Sequence, residues 1–256
     1  VSAFQRADFR RFVAENYGPD QMILAAAGGV DHDAIVAQAQ AIMGGLAPVR
    51  QGRVEAARFT GGERREDKDL EQVHFALAFE APAARAPEVW AAQVYSMAMG
   101  GGMSSRLFQK IREERGLCYS IFAQAGAYDD TGSITIYAGT SEDEIGDLTE
   151  LTVAELRRSA EDMTEAEVAR ARAQLKAGML MGLESPSSRA ERLARLLSIW
   201  GRVPGVDEAV AKIDAVDVGA VRASARDLLA APAALALYGP VGGAPGLDDI
   251  RGGLVG

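Results

Sequence analysis

A helix–strand–glycine pattern occurs twice in this chain, once near each end. The first copy, VSAFQRADFRRFVAENYGPDQMILAAAGGV, covers residues 1–30, and the second, IDAVDVGAVRASARDLLAAPAALALYGPV, covers residues 213–241. Each predicts a short amphipathic helix, a loop with proline, an apolar strand and a glycine. With a single one-residue gap the copies superpose and Gly28 lies opposite Gly239. We interpret them as the ends of two similar domains in tandem, with chance similarity as the alternative.

The repeat divides the chain unequally. Residues 1–52 correspond only to the C-terminal tail of a first domain, residues 53–245 to a complete second domain, and residues 246–256 to a C-terminal tail. Two helices and one strand cannot bury both of their faces alone. We therefore expect the first-domain tail to pack on the second domain, on another chain, or on residues upstream of Val1.

The second domain predicts an α+β fold. In QVHFALAFEA, apolar Val73, Phe75, Leu77 and Phe79 alternate with other residues, which is typical of a half-buried strand. CYSIFAQAGAY and GSITIYAGT, joined by DDTG, predict an antiparallel hairpin. The helical segments include residues 104–115, 186–200 and two with capping-box spacing at Ser141/Glu144 and Thr164/Glu167. We predict an antiparallel sheet with helices layered on one face.

Charge and composition exclude some classes of function. The formal net charge is −9, and the Lys and Arg residues are interspersed with acids, so we expect no nucleic-acid partner. No apolar stretch is long enough to predict a membrane span. One cysteine, Cys118, excludes an internal disulfide. Because the chain begins with Val1 rather than Met, we expect the natural N-terminus to be absent, which leaves localisation open between cytoplasm and periplasm.

The sequence offers little material for a metal or nucleophile site. The two histidines, His32 and His74, fall in different predicted domains and in no H-x-x-H or H-E-x-x-H pattern. We interpret Cys118 as a small buried thiol. Gly100-Gly101-Gly102 follows a helix rather than a strand, so we predict a flexible helix–helix connection instead of a phosphate loop.

Two residues around one turn have a possible role in chemistry. Arg112 lies near the end of a predicted helix, and Tyr119 follows seven residues later at the start of a strand. A cation in a last helical turn and an aromatic residue in a strand are both common structural features. The functional alternative is that the guanidinium and the phenol lie close together. They would then donate hydrogen bonds to a peptide carbonyl or a developing oxyanion.

At these residues the chain resembles a known family. GGGMSSRLFQKIREERGLCYSIFA resembles the hallmark of the second domain of M16-family zinc metallopeptidases, the pitrilysin and mitochondrial-processing-peptidase-like group. FRRFVAENYGPDQMILAAAGGVDHDAIVAQAQAIMGGL resembles the end of the family's first domain, and FTGGERREDKDLEQVHFALAFEAP the entry to its second. The resemblance covers nearly the whole chain.

The resemblance implies the LuxS/MPP-like metallohydrolase fold, with two homologous α+β domains. It places zinc in the first domain, on an H-x-x-E-H motif and a later Glu, and assigns substrate holding and intermediate stabilisation to Arg112 and Tyr119. This chain lacks H-x-x-E-H. We therefore expect a truncation of about 150 upstream residues, roughly one domain, and no zinc bound by this piece alone.

The sequence thus predicts the C-terminal, substrate-clamping part of an M16 zinc endopeptidase, inactive by itself. Expected partners are a peptide substrate and either the missing N-terminal domain or a partner M16 subunit; a homo-oligomer is possible. The alternative is a non-catalytic M16-like subunit that pairs with an active zinc subunit or has a structural role. A binding module unrelated to proteolysis is a third interpretation.

Overall fold

A computed structural model describes residues 2–49 and 55–255. The chain forms two compact units. The first unit contains the residues up to Ala56 together with Leu180–Pro204. The second contains Ala57–Met179 and the residues from Gly205 onward. The domain boundaries at residues 52 and 245 stay predictions from the sequence.

The helices of the described residues, in chain order, are α1 Arg6–Asn16, α2 His32–Met43, α3 Val89–Gly100, α4 Ile145–Asp162, α5 Glu165–Gly182, α6 Pro186–Trp200, α7 Val206–Asp214, α8 Val218–Ala230 and α9 Leu247–Val255. A 3₁₀ turn covers Pro19–Gln21, and a π-helical segment covers Phe108–Glu113. None of the helices in the described ranges is long and apolar enough to cross a membrane.

The second unit contains a five-stranded sheet. Its strands are β1 Gly62–Asp67, β2 Val73–Ala81, β3 Ser120–Ala127, β4 Gly132–Thr140 and β5 Ala233–Gly239, in the order β1-β5-β2-β4-β3. The pairs β2–β4, β2–β5 and β3–β4 are antiparallel. The α+β class and the predicted hairpin are therefore confirmed. The sheet is nevertheless mixed, because β1 lies parallel to β5.

The sequence does not predict strand β1, because its residues, GERRED, show no apolar alternation. A charged edge strand needs only a backbone ladder on one side, which β5 provides. Two of its side chains fix it further. Arg65 donates hydrogen bonds to the carbonyls of Val241 and Ala244 at 3.1 and 2.9 Å, and Glu63 accepts one from the Leu247 amide at 2.8 Å.

The core lies on one face of this sheet, as predicted. Val73, Phe75, Leu77 and Phe79 of β2 are buried. Helices α3, α8 and α9 contact the strands, and α4 packs on α8 and α9. The opposite face has partly exposed side chains on β2, β3, β4 and β5. It is called the open face below.

One of the two predicted capping boxes forms. The Thr164 amide donates to the Glu167 carboxylate at 2.8 Å, and the Glu167 amide donates to the Thr164 hydroxyl oxygen at 3.3 Å, at the start of α5. At the other, Ser141 donates its hydroxyl to the Glu144 carboxylate at 2.9 Å instead. Helix α4 begins at Ile145, so Glu144 is its N-cap and cannot also be the third helical residue of a box.

The first unit does not contain the strand predicted for its tail. Residues 22–27 pair with no strand in the described part of the chain. A β-strand needs a hydrogen-bonded neighbour, and none is present beside this apolar stretch. Helices α1, α2 and α6 have no buried residue among them. Phe9, Phe12 and Ile42 are among their exposed apolar side chains, so these helices bury no core of their own within the described residues.

The two copies of the repeat share a backbone feature. Gly28 and Gly239, which superpose in sequence, both have positive φ, +112° and +123°. Only glycine adopts this region readily. A helix follows each glycine: α2 after the first and α9 after the second. The sequence of residues 246–256 predicts no helix or strand, yet Ile250 of α9 is buried in the core of the second unit.

The glycine run at the end of α3 has a packing role, which corrects the prediction of a flexible connection. Gly100 is buried at the end of α3. A Cβ atom there would overlap the backbone nitrogen of Ala123 on β3 and lie 2.7 Å from the Ala123 side chain. The missing side chain therefore lets α3 approach the sheet directly.

We predict that Gly100→Ala lowers the free energy of unfolding by about 3 kcal/mol, because neither backbone can yield without losing sheet or helix hydrogen bonds. Urea denaturation measures the loss. Gly178→Ala is the matched control, since a Cβ atom there meets nothing within 4 Å. It should leave stability unchanged or raise it by up to about 1 kcal/mol. Equal effects of the two substitutions would contradict the packing role.

Candidate functional site

Arg112 projects from the π-helical segment Phe108–Glu113 of the second unit. Leu107 and Ile111 are buried and fix the inner side of this segment. Its turn is wider than that of an α-helix, because the Glu114 amide donates to the Gln109 carbonyl, five residues earlier, at 2.9 Å. π-Helical turns occur frequently at functional sites. The sequence predicts a helix here, but no feature of it indicates the π-helical turn.

Tyr119 lies just before β3, on the far side of the turn. Gly116 has a φ of +66°, as expected for a left-handed helix cap. The Thr140 hydroxyl donates to the Leu117 carbonyl at 2.5 Å, and the Tyr119 amide donates to the Gly139 carbonyl at 3.3 Å. The backbone of Tyr119 is therefore tied to β4, while its side chain is 78% exposed.

The structure brings Arg112 and Tyr119 together. The guanidinium carbon of Arg112 lies 5.4 Å from the centre of the Tyr119 ring and 4.6 Å from that of Phe108. Such cation–π contacts stabilise the arrangement and hold the tyrosine ring beside the arginine. We call these two residues the Arg112–Tyr119 pair.

Both polar groups of the pair have unused hydrogen-bonding capacity. The only carboxylate within 4.0 Å of the Arg112 guanidinium, in the described part of the chain, is Glu113 at 3.9 Å. Neither side chain makes a hydrogen bond to any described residue, although a guanidinium has five N–H donors. The arrangement therefore presents a cation and a phenol hydroxyl to an incoming group that accepts hydrogen bonds, such as a peptide carbonyl.

Arg106, two residues before the π-helical segment, has a different environment, which the sequence did not predict. Its side chain is only 9% exposed. Its Nε and Nη2 atoms donate to the two carboxylate oxygens of Glu167 at 2.9 Å each, and Nη1 donates to Asp162. Glu155, also buried, lies 3.9 Å away. This cluster, in which Asp162 is exposed and the other side chains are largely buried, joins the segment that bears Arg112 to α4 and α5. Its signal is spatial rather than sequential, because its members lie about 50 to 60 residues apart.

The two carboxylates that accept hydrogen bonds from Arg106, those of Glu167 and Asp162, have lowered pKa values. Burial alone would raise the pKa of Glu167, but hydrogen bonds from Thr164 and Arg106 outweigh it and hold the pKa below the ordinary value of 4.5. The pKa of Asp162 is lowered in the same way: burial opposes the shift, and Arg106 and Arg158 cause it. Both carboxylates thus remain charged partners of Arg106 at neutral pH.

The remaining candidates from the sequence have structural surroundings. Cys118 is buried, as predicted, and burial raises the pKa of its thiol to about 11, with Glu144 adding to the rise and Arg112 opposing it. So little thiolate at neutral pH argues against a nucleophilic role. The His74 Nδ1 atom lies 2.7 Å from the hydroxyl of Tyr137 on the open face.

The residues present do not fit a zinc site. His32 belongs to the first unit and His74 to the second. Among the described residues, no group of three or more His, Cys, Asp or Glu side chains is placed to hold a metal ion. A structural or catalytic zinc needs three or four such ligands converging on one point.

Comparison with known proteins defines the class. The family model described as "Peptidase M16 inactive domain" matches residues 3–175. The chain belongs to the M16 peptidase family, and the matched region includes both members of the Arg112–Tyr119 pair.

Individual relatives agree with this assignment. The chain is 36% identical over 264 residues to a protein named as an uncharacterized zinc protease of Mycobacterium tuberculosis, with 100% of this chain covered. It is 29% identical over 249 residues to the uncharacterized zinc protease YmxG of Bacillus subtilis, with 96% of the chain covered. The chain spans 60% of the length of each of these relatives.

A solved structure confirms the fold. A chain of the Candida albicans complex III dimer, bound to Inz-5, is similar with a TM-score of 0.85. The match covers 98% of this chain and 63% of that chain, at 23% sequence identity. At that identity the likeness establishes the shared fold alone.

We predict that Arg106→Met lowers the free energy of unfolding at pH 7 by about 3 kcal/mol, because it leaves the largely buried carboxylate of Glu167 without its bidentate cation. Arg115→Met is the control. Its side chain is exposed and lies 3.8 Å from the exposed carboxylate of Asp147, so it should cost less than about 1 kcal/mol.

The same cluster predicts a pH dependence. Acids whose pKa is lowered by folding stabilise the protein above their ordinary pKa, and that contribution is lost as the pH falls through the folded value. Wild-type stability should therefore fall as the pH drops below about 4.5, the ordinary value for Glu167. Arg106→Met should fall less over the same range in urea denaturation. A parallel fall in both proteins would show that the cluster does not govern the acid limb.

Proposed function

We propose that this chain is the substrate-holding part of a zinc-dependent endopeptidase of the M16 family. The observation that supports it most is the Arg112–Tyr119 pair, in which two groups with unused donors lie side by side on an exposed surface. The names of the relatives, which are zinc proteases, support the same activity for the whole protein.

The two members of the pair have distinct roles in this proposal. Arg112 donates hydrogen bonds from its guanidinium to carbonyl groups of the bound peptide and so orients it. Tyr119 donates a hydrogen bond from its hydroxyl group to the oxygen of the scissile carbonyl, where negative charge develops in the tetrahedral intermediate. The positive charge of Arg112 next to the ring also favours an anionic oxygen there. Phe108, under the guanidinium, limits the directions that the arginine can take.

This chain supplies binding and charge stabilisation, and its described residues form no cluster of metal ligands. Zinc, where the whole protein holds it, activates a water molecule for attack on the peptide bond. Its ligands would belong to residues outside this chain, either in the remaining part of the same protein or in a partner subunit of the family. The chain alone is accordingly proposed to hydrolyse no peptide.

A second function is proposed as the alternative: a non-catalytic M16-like subunit that assists an active zinc subunit or has a structural role. The description of the matching family model as an inactive domain favours it. The Arg112–Tyr119 pair argues for a working clamp, because a purely structural surface gains little from a tyrosine 78% exposed beside an arginine without a carboxylate closer than 3.9 Å.

We predict that Arg112→Ala or Tyr119→Phe, made in the intact protein that holds zinc, lowers kcat/KM by about 10²-fold, the effect of losing one oxyanion donor. Steady-state hydrolysis of a fluorescence-quenched peptide gives the value. Arg115→Ala is the matched control, because Arg115 is an exposed cation three residues further on that lies 3.8 Å from Asp147. It should leave kcat/KM within about twofold.

Unchanged kinetics in both Arg112→Ala and Tyr119→Phe would refute the clamp. An intact protein that hydrolyses no peptide would favour the non-catalytic subunit. An equal loss in Arg115→Ala would mean that any change at this helix end disturbs folding. Thermal unfolding of the three variants distinguishes that case, since a true clamp residue leaves the melting temperature nearly unchanged.

A further inference from the structure

The two members of the Arg112–Tyr119 pair are held in place in different ways. The backbone of Tyr119 is tied to β4 by the hydrogen bond from its amide to the Gly139 carbonyl at 3.3 Å. The Arg112 guanidinium makes no hydrogen bond to any described residue, and its cation–π contacts with Phe108 and Tyr119 allow a range of directions. The position of Arg112 relative to Tyr119 therefore depends on how firmly the π-helical segment is held.

Apolar contacts hold this segment against the core. Leu107 and Ile111 are both fully buried. Hydrophobic burial is non-directional, so it resists separation of the segment from the core more than it resists sliding or rotation about the segment's axis. These contacts therefore set the depth of the segment, and a directional contact is needed to set the direction in which Arg112 projects.

The contact of Arg106 with Glu167 is directional. The Nε and Nη2 atoms each donate to a carboxylate oxygen at 2.9 Å, which fixes both the distance and the plane of the guanidinium. Nη1 donates to Asp162 at the end of α4. The Arg106 side chain is only 9% exposed, so water competes little for these hydrogen bonds. Arg112 follows six residues later, no more than about 9 Å along a helix axis.

Helix α5, which bears Glu167, also holds the loop that precedes Arg106. The Gln174 side chain donates to the Gly101 carbonyl at 3.1 Å. A Cβ atom on Gly102 would lie 2.3 Å from the Gln174 amide nitrogen, so the loop and the helix are in close contact. Glu167 and Gln174 are seven residues apart and lie on the same side of α5. One face of α5 is therefore the support for both the loop and Arg106.

We infer that Arg106 is a positioning residue for the reaction, which acts through Arg112 by fixing the π-helical segment on α5. The inference rests on the proposed function of the Arg112–Tyr119 pair. A displacement of about 1 Å in a group that orients the substrate can cost about 10²-fold in rate. Because the effect passes through Arg112, it cannot exceed the loss caused by removing Arg112 itself.

A double-mutant cycle in the intact zinc-loaded protein tests this role, with the hydrolysis of a fluorescence-quenched peptide as the readout. Arg106→Met should lower kcat/KM by about tenfold in the wild-type background, but by less than about twofold in the Arg112→Ala background. In the Tyr119→Phe background, which keeps the ring beside the guanidinium, the loss should remain about tenfold.

Two further variants separate positioning from stability. Arg106→Lys keeps the charge and loses the planar fork, so it should show a smaller loss with the same dependence on Arg112, and it completes the cycle if Arg106→Met does not fold. Leu235→Ala is the control for destabilisation. Leu235 is 2% exposed on β5, which is separated from β3 by β2 and β4, so the substitution leaves a cavity far from the pair. At a temperature where every variant is folded, it should change kcat/KM by less than about twofold.

Three results would overturn the positioning role while the clamp stands. They are an unchanged kcat/KM in both Arg106 variants, an undiminished loss from Arg106→Met in the Arg112→Ala background, and an equal loss in Leu235→Ala. Failure of the proposed function looks different: unchanged kcat/KM in Arg112→Ala would refute the clamp, and the positioning role with it.

Discussion

The buried contact of Arg106 with Glu167, Asp162 and Glu155 is the interaction on which the site depends. It fixes the start of the π-helical segment against two long helices, so that Arg112, six residues later, projects at a defined place. Gly116 then reverses the chain, and the hydrogen bond from Tyr119 to Gly139 ties the turn to the sheet. The positions of the two exposed donors thus follow from three local constraints, each set by a residue of a particular type.

The fold was largely predictable because its signals are periodic. Alternation in β2, the turn residues of the hairpin and the spacing of helix caps each reflect a local rule, and the structure follows them. The predictions were wrong where contacts with a distant part of the chain determine the local structure. β1 forms only because β5 offers it an unpaired edge, and residues 22–27 remain unpaired because no described strand lies beside them. Gly100 was predicted to belong to a flexible connection, since nothing in the sequence shows that Ala123 packs against it.

The residues of the candidate site could be predicted from the sequence, but the distances between them could not. The seven-residue spacing of Arg112 and Tyr119, together with the family resemblance, identified the pair; the distance between them had to come from the structure. The contacts of Arg106 could not be predicted from the sequence, because its partners lie on two other helices, α4 and α5. The exposed apolar side chains of α1 and α2 agree with the proposal that the first unit is one part of a larger domain.

The most direct test of the central claim uses a phosphinic peptide, whose tetrahedral centre mimics the intermediate, as an inhibitor of the intact protein and of its Arg112→Ala and Tyr119→Phe variants. If the pair stabilises the tetrahedral state, the inhibition constant should rise in proportion to the fall in kcat/KM across the three proteins, while KM changes much less. An inhibition constant that stays constant while kcat/KM falls, or that follows KM alone, would contradict the account.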